Sequence, residues 1–375
     1  MISFTILPAM RRRQLITATL LTLGLAAAGC GSSDGGAAPD GGGDGGAAET
    51  GSFVDRLALL PGAVAQGDGG ILVTMADIEA AARAAGVSPP SGPEDQAAVS
   101  AYVNALTSTG TPGGPTPAVA ALLPQGVGRG ALARAGEFQA ELGWSVLDLR
   151  WFVEYPTAPR PLTVAGGTFT TERLSAAMGE ADGGRWRVGD GEDLSIDPGA
   201  RTVARPLGQP LTLALDSGRL YVSPVSGHVQ AAVGSTGDTL ADLPELRALA
   251  GAMDTQGAYA TMLSARDNYR GGGDNPLRPF TGVATGLAHD GGPVLLLAYA
   301  HADAGNAEAN ATALRTLLTE GSSARTRQPW SELLSVTDIT VDGSTVVARL
   351  TLGQSHPQLA WQLLTSRDSL VQHGG

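Results

Sequence analysis

Few side chains in this 375-residue sequence are suited to chemistry, and their spacing limits what they could do. The histidines are His228, His289, His301, His356 and His373. His301-Ala302-Asp303 puts an imidazole and a carboxylate on one face of an extended segment, because side chains alternate along a strand. His289-Asp290, at a hairpin signal, could join them as ligands of a metal ion. Two solvated histidines at strand ends account for the same residues, and no metal site is assigned. Val225-Ser226-Gly227-His228 sets a hydroxyl near an imidazole. Nucleophilic triads are built by fold geometry and not by adjacency, and Gly-x-Ser-x-Gly is absent. Ser226 reads more simply as a helix N-cap. Asp190, Glu192, Asp193 and Asp197 cluster, but a calcium loop would want an oxygen ligand where Leu194 stands. No catalytic residue is assigned, and no cofactor is expected.

The missing residue types exclude more. The chain has no lysine, so Schiff-base chemistry, a Walker A phosphate loop and Ser-x-x-Lys acylation are ruled out. Cys30 is the one cysteine. It follows Leu25-Ala26-Ala27-Ala28-Gly29 and precedes Gly31-Ser32-Ser33. Upstream lie Arg11-Arg12-Arg13 and an apolar run over 15–28. A basic n-region, a short apolar core and small residues before a cut site make an export signal. The run is shorter than the roughly 20 residues that span a bilayer. Met10, directly before the arginines, is the expected start of translation. Arg12-Arg13-Gln14-Leu15-Ile16 fits both a plain basic n-region and the twin-arginine pattern.

The stretch ending at Cys30 resembles the lipobox of bacterial lipoproteins. That resemblance implies cleavage between Gly29 and Cys30, lipidation of the Cys30 sulfur, and anchoring to the cell membrane with the chain facing outside the cytoplasm. Two acyl chains suffice for stable anchoring. With its sulfur committed to lipid, Cys30 cannot serve a disulfide, a thiol nucleophile or a metal.

The formal net charge is −12, and the segment before Cys30 holds three arginines and no acid, so the remainder is more acidic still. Such a surface does not suit nucleic acid, which requires clustered positive charge. Membrane contact is expected through the acyl chains on Cys30. A hydrophobic content of 43% argues for a folded body. Residues 30–51 are Gly-rich and read as a flexible, lipid-anchored tether.

Elements follow from periodicity and turn signals. Residues 52–143 read as mostly helical: Thr74-Met75-Ala76-Asp77 resembles a capping box opening a helix over 76–85, and helices are expected over 98–106, 118–123 and 134–142. From 144 onward strands alternate with helices, with tight hairpins at Asp216-Ser217-Gly218, Asp290-Gly291-Gly292 and Asp342-Gly343-Ser344. Residues 162–233 and 294–364 share the order strand, helix, tryptophan (Trp186, Trp330), hairpin, helix. The expected fold class is α+β: a helical N-terminal part (52–143) followed by two β-α-β-hairpin-α units (144–265 and 266–375) with mixed or antiparallel sheets.

The long polar loop 266–279 is the candidate binding element, through Arg266, Tyr269, Arg270, Asp274 and Arg278. The expected function is a non-enzymatic, membrane-anchored protein that binds a protein, glycan or small ligand outside the cytoplasm. Alternatives are an extracytoplasmic hydrolase and a solute-binding component of a transporter.

Overall fold

The computed structural model describes residues 51–65, 69–108, 117–125, 129–234, 236–271, 275–353 and 355–374. Gly29, Cys30, the tether up to residue 50 and Asp274 lie outside the described residues.

The strands are β1 (Ile71–Asp77), β2 (Leu149–Tyr155), β3 (Leu162–Gly167), β4 (Arg185–Val188), β5 (Leu211–Asp216), β6 (Arg219–Ser223), β7 (Ala260–Ala265), β8 (Gly282–His289), β9 (Pro293–Ala300), β10 (Leu334–Asp342) and β11 (Thr345–Leu352). The helices are α1 (Phe53–Leu57), α2 (Ile78–Ala85), α3 (Gln96–Thr107), α4 (Arg129–Ala133), α5 (Ala135–Leu142), α6 (Thr171–Met178), α7 (Ser226–Ala232), α8 (Pro244–Thr255), α9 (Ala304–Glu320), α10 (Trp330–Leu333) and α11 (Leu359–Thr365). All these strands join one sheet, in the order β10-β11-β9-β8-β7-β1-β2-β3-β6-β5-β4. Every pairing is antiparallel.

This corrects the expected fold class. There is no helical N-terminal part followed by two units with sheets of their own. Residues 71–77 form β1, which pairs with β2 on one side and β7 on the other and so makes the sheet continuous. The reason lies in the capping signal. Thr74 is a strand residue, and the N-cap of α2 is Asp77, whose side chain accepts from Ala80 N at 2.7 Å. Both are good N-cap types, so residue type alone misplaced the helix start by a few positions and hid a strand. Residues 118–123, expected as a helix, have no regular element.

Burial on both faces explains why β1 is central. Ile71, Val73 and Met75 pack with Phe53 and Leu57 of α1 and Leu246, Leu249 and Met253 of α8. Ala76 belongs to the core on the other face, which also takes in residues of α2, α3, α5, α6, α9 and α11. Ordering so long a sheet requires sharp reversals. Ser217 and Gly218, with φ of 50° and 74°, supply the mirror-image turn that the right-handed twist of β5 and β6 favours.

Strand order recurs outward from the β1–β7 pair: β2-β3-β6-β5 on one side, β8-β9-β11-β10 on the other. Leu174 and Leu314, and Trp186 and Trp330, share one core. The closing helices differ, because α7 contributes to the core of α1 and α8 whereas α11 contributes to the opposite one. At the long free edge, β10 carries a bulge between Val336 and Asp338, and Arg315 of α9 donates to the Ile339 carbonyl at 2.9 Å. Bulges and occupied backbone groups blunt edges that would otherwise recruit another strand.

Candidate functional site

At the centre of the sheet Leu72 of β1 stands opposite Ser264 of β7, and Thr74 opposite Met262. A pocket of about 200 Å³ opens on this seam. Leu72, Met262 and Ser264 belong to the paired strands, Asp267, Asn268 and Tyr269 to the loop after β7, and Leu364, Arg367, Val371 and Gln372 to α11 and the chain end.

Local sequence explains how the loop reaches the seam. A Cβ on Gly70 would lie 2.7 Å from the Asp267 Cβ, so only glycine permits this approach. Arg367 grips Asp267 with two bonds, 2.8 and 3.0 Å, and donates to the Asn268 carbonyl at 3.1 Å. Arg266 and Arg367 both adopt left-handed backbone (φ 56° and 50°), which is unfavourable by about 1–2 kcal/mol for a residue with a Cβ. Arg367 Nη2 bridges both Asp267 oxygens, and that ion pair helps hold the Arg367 backbone.

Tyr269 is buried, its ring 4.8 Å from that of Phe280, and its hydroxyl donates to Ser264 Oγ at 3.0 Å. Burial pushes its pKa up, which keeps the phenol protonated as a donor. The chain end is tied down as the opposite wall. His373 N donates to the Tyr269 carbonyl and Gly271 N to the His373 carbonyl, both at 2.9 Å. Asn275 Nδ2 donates to the carbonyls of Ser369 and Gln372 at 2.8 and 3.0 Å.

The residues singled out in the loop therefore part company. Tyr269 lines the pocket. Arg266 points to Glu245, 2.9 Å away, and lines a separate cleft with Pro61 and Leu243. Arg270 and Arg278 are exposed, although Arg278 N donates to Asn310 Oδ1 at 2.7 Å. Asp274 lies outside the described residues. With Tyr269, Leu277 and Phe280 buried, the described part of the loop is anchored.

The other chemical groups are spent on structure. His301 is buried between the Ser344 carbonyl, 3.1 Å from Nδ1, and Asn310 Nδ2, 2.8 Å from Nε2, and burial lowers its pKa. Asp303 is the N-cap of α9, accepting from Asn306 N at 2.8 Å. Ser226 bonds to Asp193, not His228: the carboxylate accepts from both Ser226 N and Oγ at 2.7 Å and from Arg187 at 2.8 Å. Burial opposes ionisation of Asp193, but those bonds outweigh it and hold its carboxyl below the usual range. Asp197 caps a turn at Gly199 N, 2.8 Å away. Among the described residues no group of three or more His, Cys, Asp or Glu is placed to hold a metal ion, and no helix is long and apolar enough to cross a membrane.

Sequence reasoning missed several buried ionisable side chains, Glu154 and Arg56 among them. Glu154 of β2, 1% exposed, accepts from Thr163 Oγ1 at 2.6 Å and from Gln125 N at 3.0 Å. Burial pushes its pKa up to about 7, against the pull of those two donors. It belongs to a cross-strand row, Thr163-Glu154-Thr74-Met262-Thr285, that reaches the pocket at Met262. The available signal was one acid inside the apolar run Trp151-Phe152-Val153-Glu154-Tyr155. Arg56, also buried, bonds Asp77 at 3.3 Å and lies 5.2 and 5.3 Å from the ring centroids of Phe53 and Trp151. Burial lowers its pKa while Asp77 acts against that.

The chain matches no family model, no curated protein and no solved structure.

Proposed function

We propose that the chain is a lipid-anchored protein, held outside the cytoplasm through acyl chains on Cys30, that binds a small ligand in the seam pocket without transforming it. The observation that carries the binding reading is the pocket itself. It is a concave, mainly apolar space with a few polar groups at its wall, placed where the two wings of the sheet meet. The anchoring reading rests on the residues before and at Cys30.

Cells producing the full chain and fed an alkyne-tagged fatty acid should label the wild type and not Cys30→Ala. Equal labelling of the two, or none of the wild type, overturns the anchor. For the pocket, a small-molecule series scored by thermal shift should contain compounds that raise the Tm of the wild type and not that of Leu364→Trp, in which the space is filled. Equal shifts in both proteins overturn the pocket as the site.

A further inference from the structure

The chemistry of the pocket wall restricts the ligand, and the argument rests on the reading of that pocket as a binding site. About 200 Å³ exceeds the roughly 150 Å³ that houses a benzene ring in an engineered cavity, and falls short of a drug-sized site. One ring with a small substituent fits. Ile71, Leu72, Met262, Leu364 and Val371 offer it apolar contact.

The rim adds no net charge. Asp267 and Arg367 close on each other through both carboxylate oxygens, so neither is available as a counter-ion for a charged ligand. A charged ring would be desolvated with nothing to replace its water. The acidic chain as a whole disfavours an anion further.

Ser264 decides polarity. It is 6% exposed and lines the pocket, and its Oγ accepts the Tyr269 hydroxyl proton at 3.0 Å. Because Tyr269 is held as the protonated donor, the Ser264 hydroxyl has its own proton to give. Asn268 also lines the pocket, with its Oδ1 already accepting from Arg270 N at 3.1 Å. A ligand atom that accepts satisfies Ser264; a pure hydrocarbon leaves that proton unpaired.

We infer that the seam pocket takes a neutral, single-ring apolar molecule bearing one hydrogen-bond acceptor, oriented by Ser264.

Pyridine and benzene, equal in size and both uncharged at mildly alkaline pH, test this by calorimetry on the full chain, because pyridine carries an acceptor and no donor. Pyridine should bind the wild type about threefold to tenfold more tightly than benzene, the worth of one net hydrogen bond. Ser264→Ala should bring pyridine to the affinity of benzene and leave benzene unchanged. Met262→Trp, or Leu364→Trp should the first fail to fold, should abolish both. Equal affinities in the wild type, or a pyridine preference that survives Ser264→Ala, overturn the acceptor assignment while leaving the pocket standing. Absence of binding by either probe, or binding that persists in the filled-pocket variants, overturns the pocket reading and this inference with it.

Discussion

Replacing Glu154 by Gln should make the protein more stable at alkaline pH and change little in acid. Glu154 holds its proton more tightly in the folded chain, where its pKa is about 7, than in the unfolded chain, where the ordinary value of 4.5 applies. The stability linked to that proton is fully present below pH 4.5 and is lost as the pH rises through about 7. The difference between the two values corresponds to about 3 kcal/mol at completion. Glutamine cannot titrate, yet its amide oxygen can accept from Thr163 and Gln125 as the carboxyl does. The added N–H donors shift its stability by an amount independent of pH. Other groups whose pKa values move on folding, such as Asp254 and His301, are common to both proteins and cancel. Urea unfolding followed by tryptophan fluorescence, repeated from pH 5 to pH 9, should therefore show Glu154→Gln gaining about 2–3 kcal/mol on the wild type across that range. Parallel stability curves would refute the claim that Glu154 is a carboxylate ionised against its burial.

Leu174→Ala and Leu314→Ala remove fully buried side chains on the two wings, so each should lower unfolding free energy by about 2–5 kcal/mol; a loss below 1 kcal/mol would show that the site collapses to fill the space. Arg315→Ala frees the Ile339 carbonyl on the edge strand, so it should cost at most about 1 kcal/mol of stability yet increase self-association in light scattering. Unchanged association would remove Arg315 from the role of edge guard.

What could be read from the sequence was local. Short, mainly apolar runs at Leu162 to Gly167 and Val294 to Ala300, and the paired turn residues at Ser217-Gly218 and Gly343-Ser344, mark strands and hairpins. The β1–β7 pairing joins residues such as Leu72 and Ser264 that nothing local connects, and it is this pairing that turns two apparent units into one sheet. Thr74 concealed the strand because the same residue type serves as an N-cap and as a strand residue. In the loop, length and polarity were legible. The burial of Tyr269 was not, because it depends on Phe280 and Ser264, and the route of Arg266 to Glu245 depends on a helix packed across the opposite face.

The same long-range pairing explains why a pocket exists where it does. Each wing covers its own strands with the helices of its own crossovers, α6 beyond β3 and α9 beyond β9. The seam between β1 and β7 belongs to neither crossover. On the pocket side its covering comes from the end of α11, the loop after β7 and the chain end. Those last two are irregular backbone and one short 3-10 turn (Ser369–Val371), positioned by point contacts such as Arg367–Asp267 and Asn275–Gln372 and not by the ridges of an α-helix surface. Close-packed helices leave few voids larger than a water molecule, whereas a cover held at points can stand away from the sheet. The small, polar side chain of Ser264 beneath it projects less than the leucines of the wings and deepens that gap. A space over the seam, apolar at Leu72 and Met262 and polar at Ser264, is thus the expected product of joining two similar halves through their first strands.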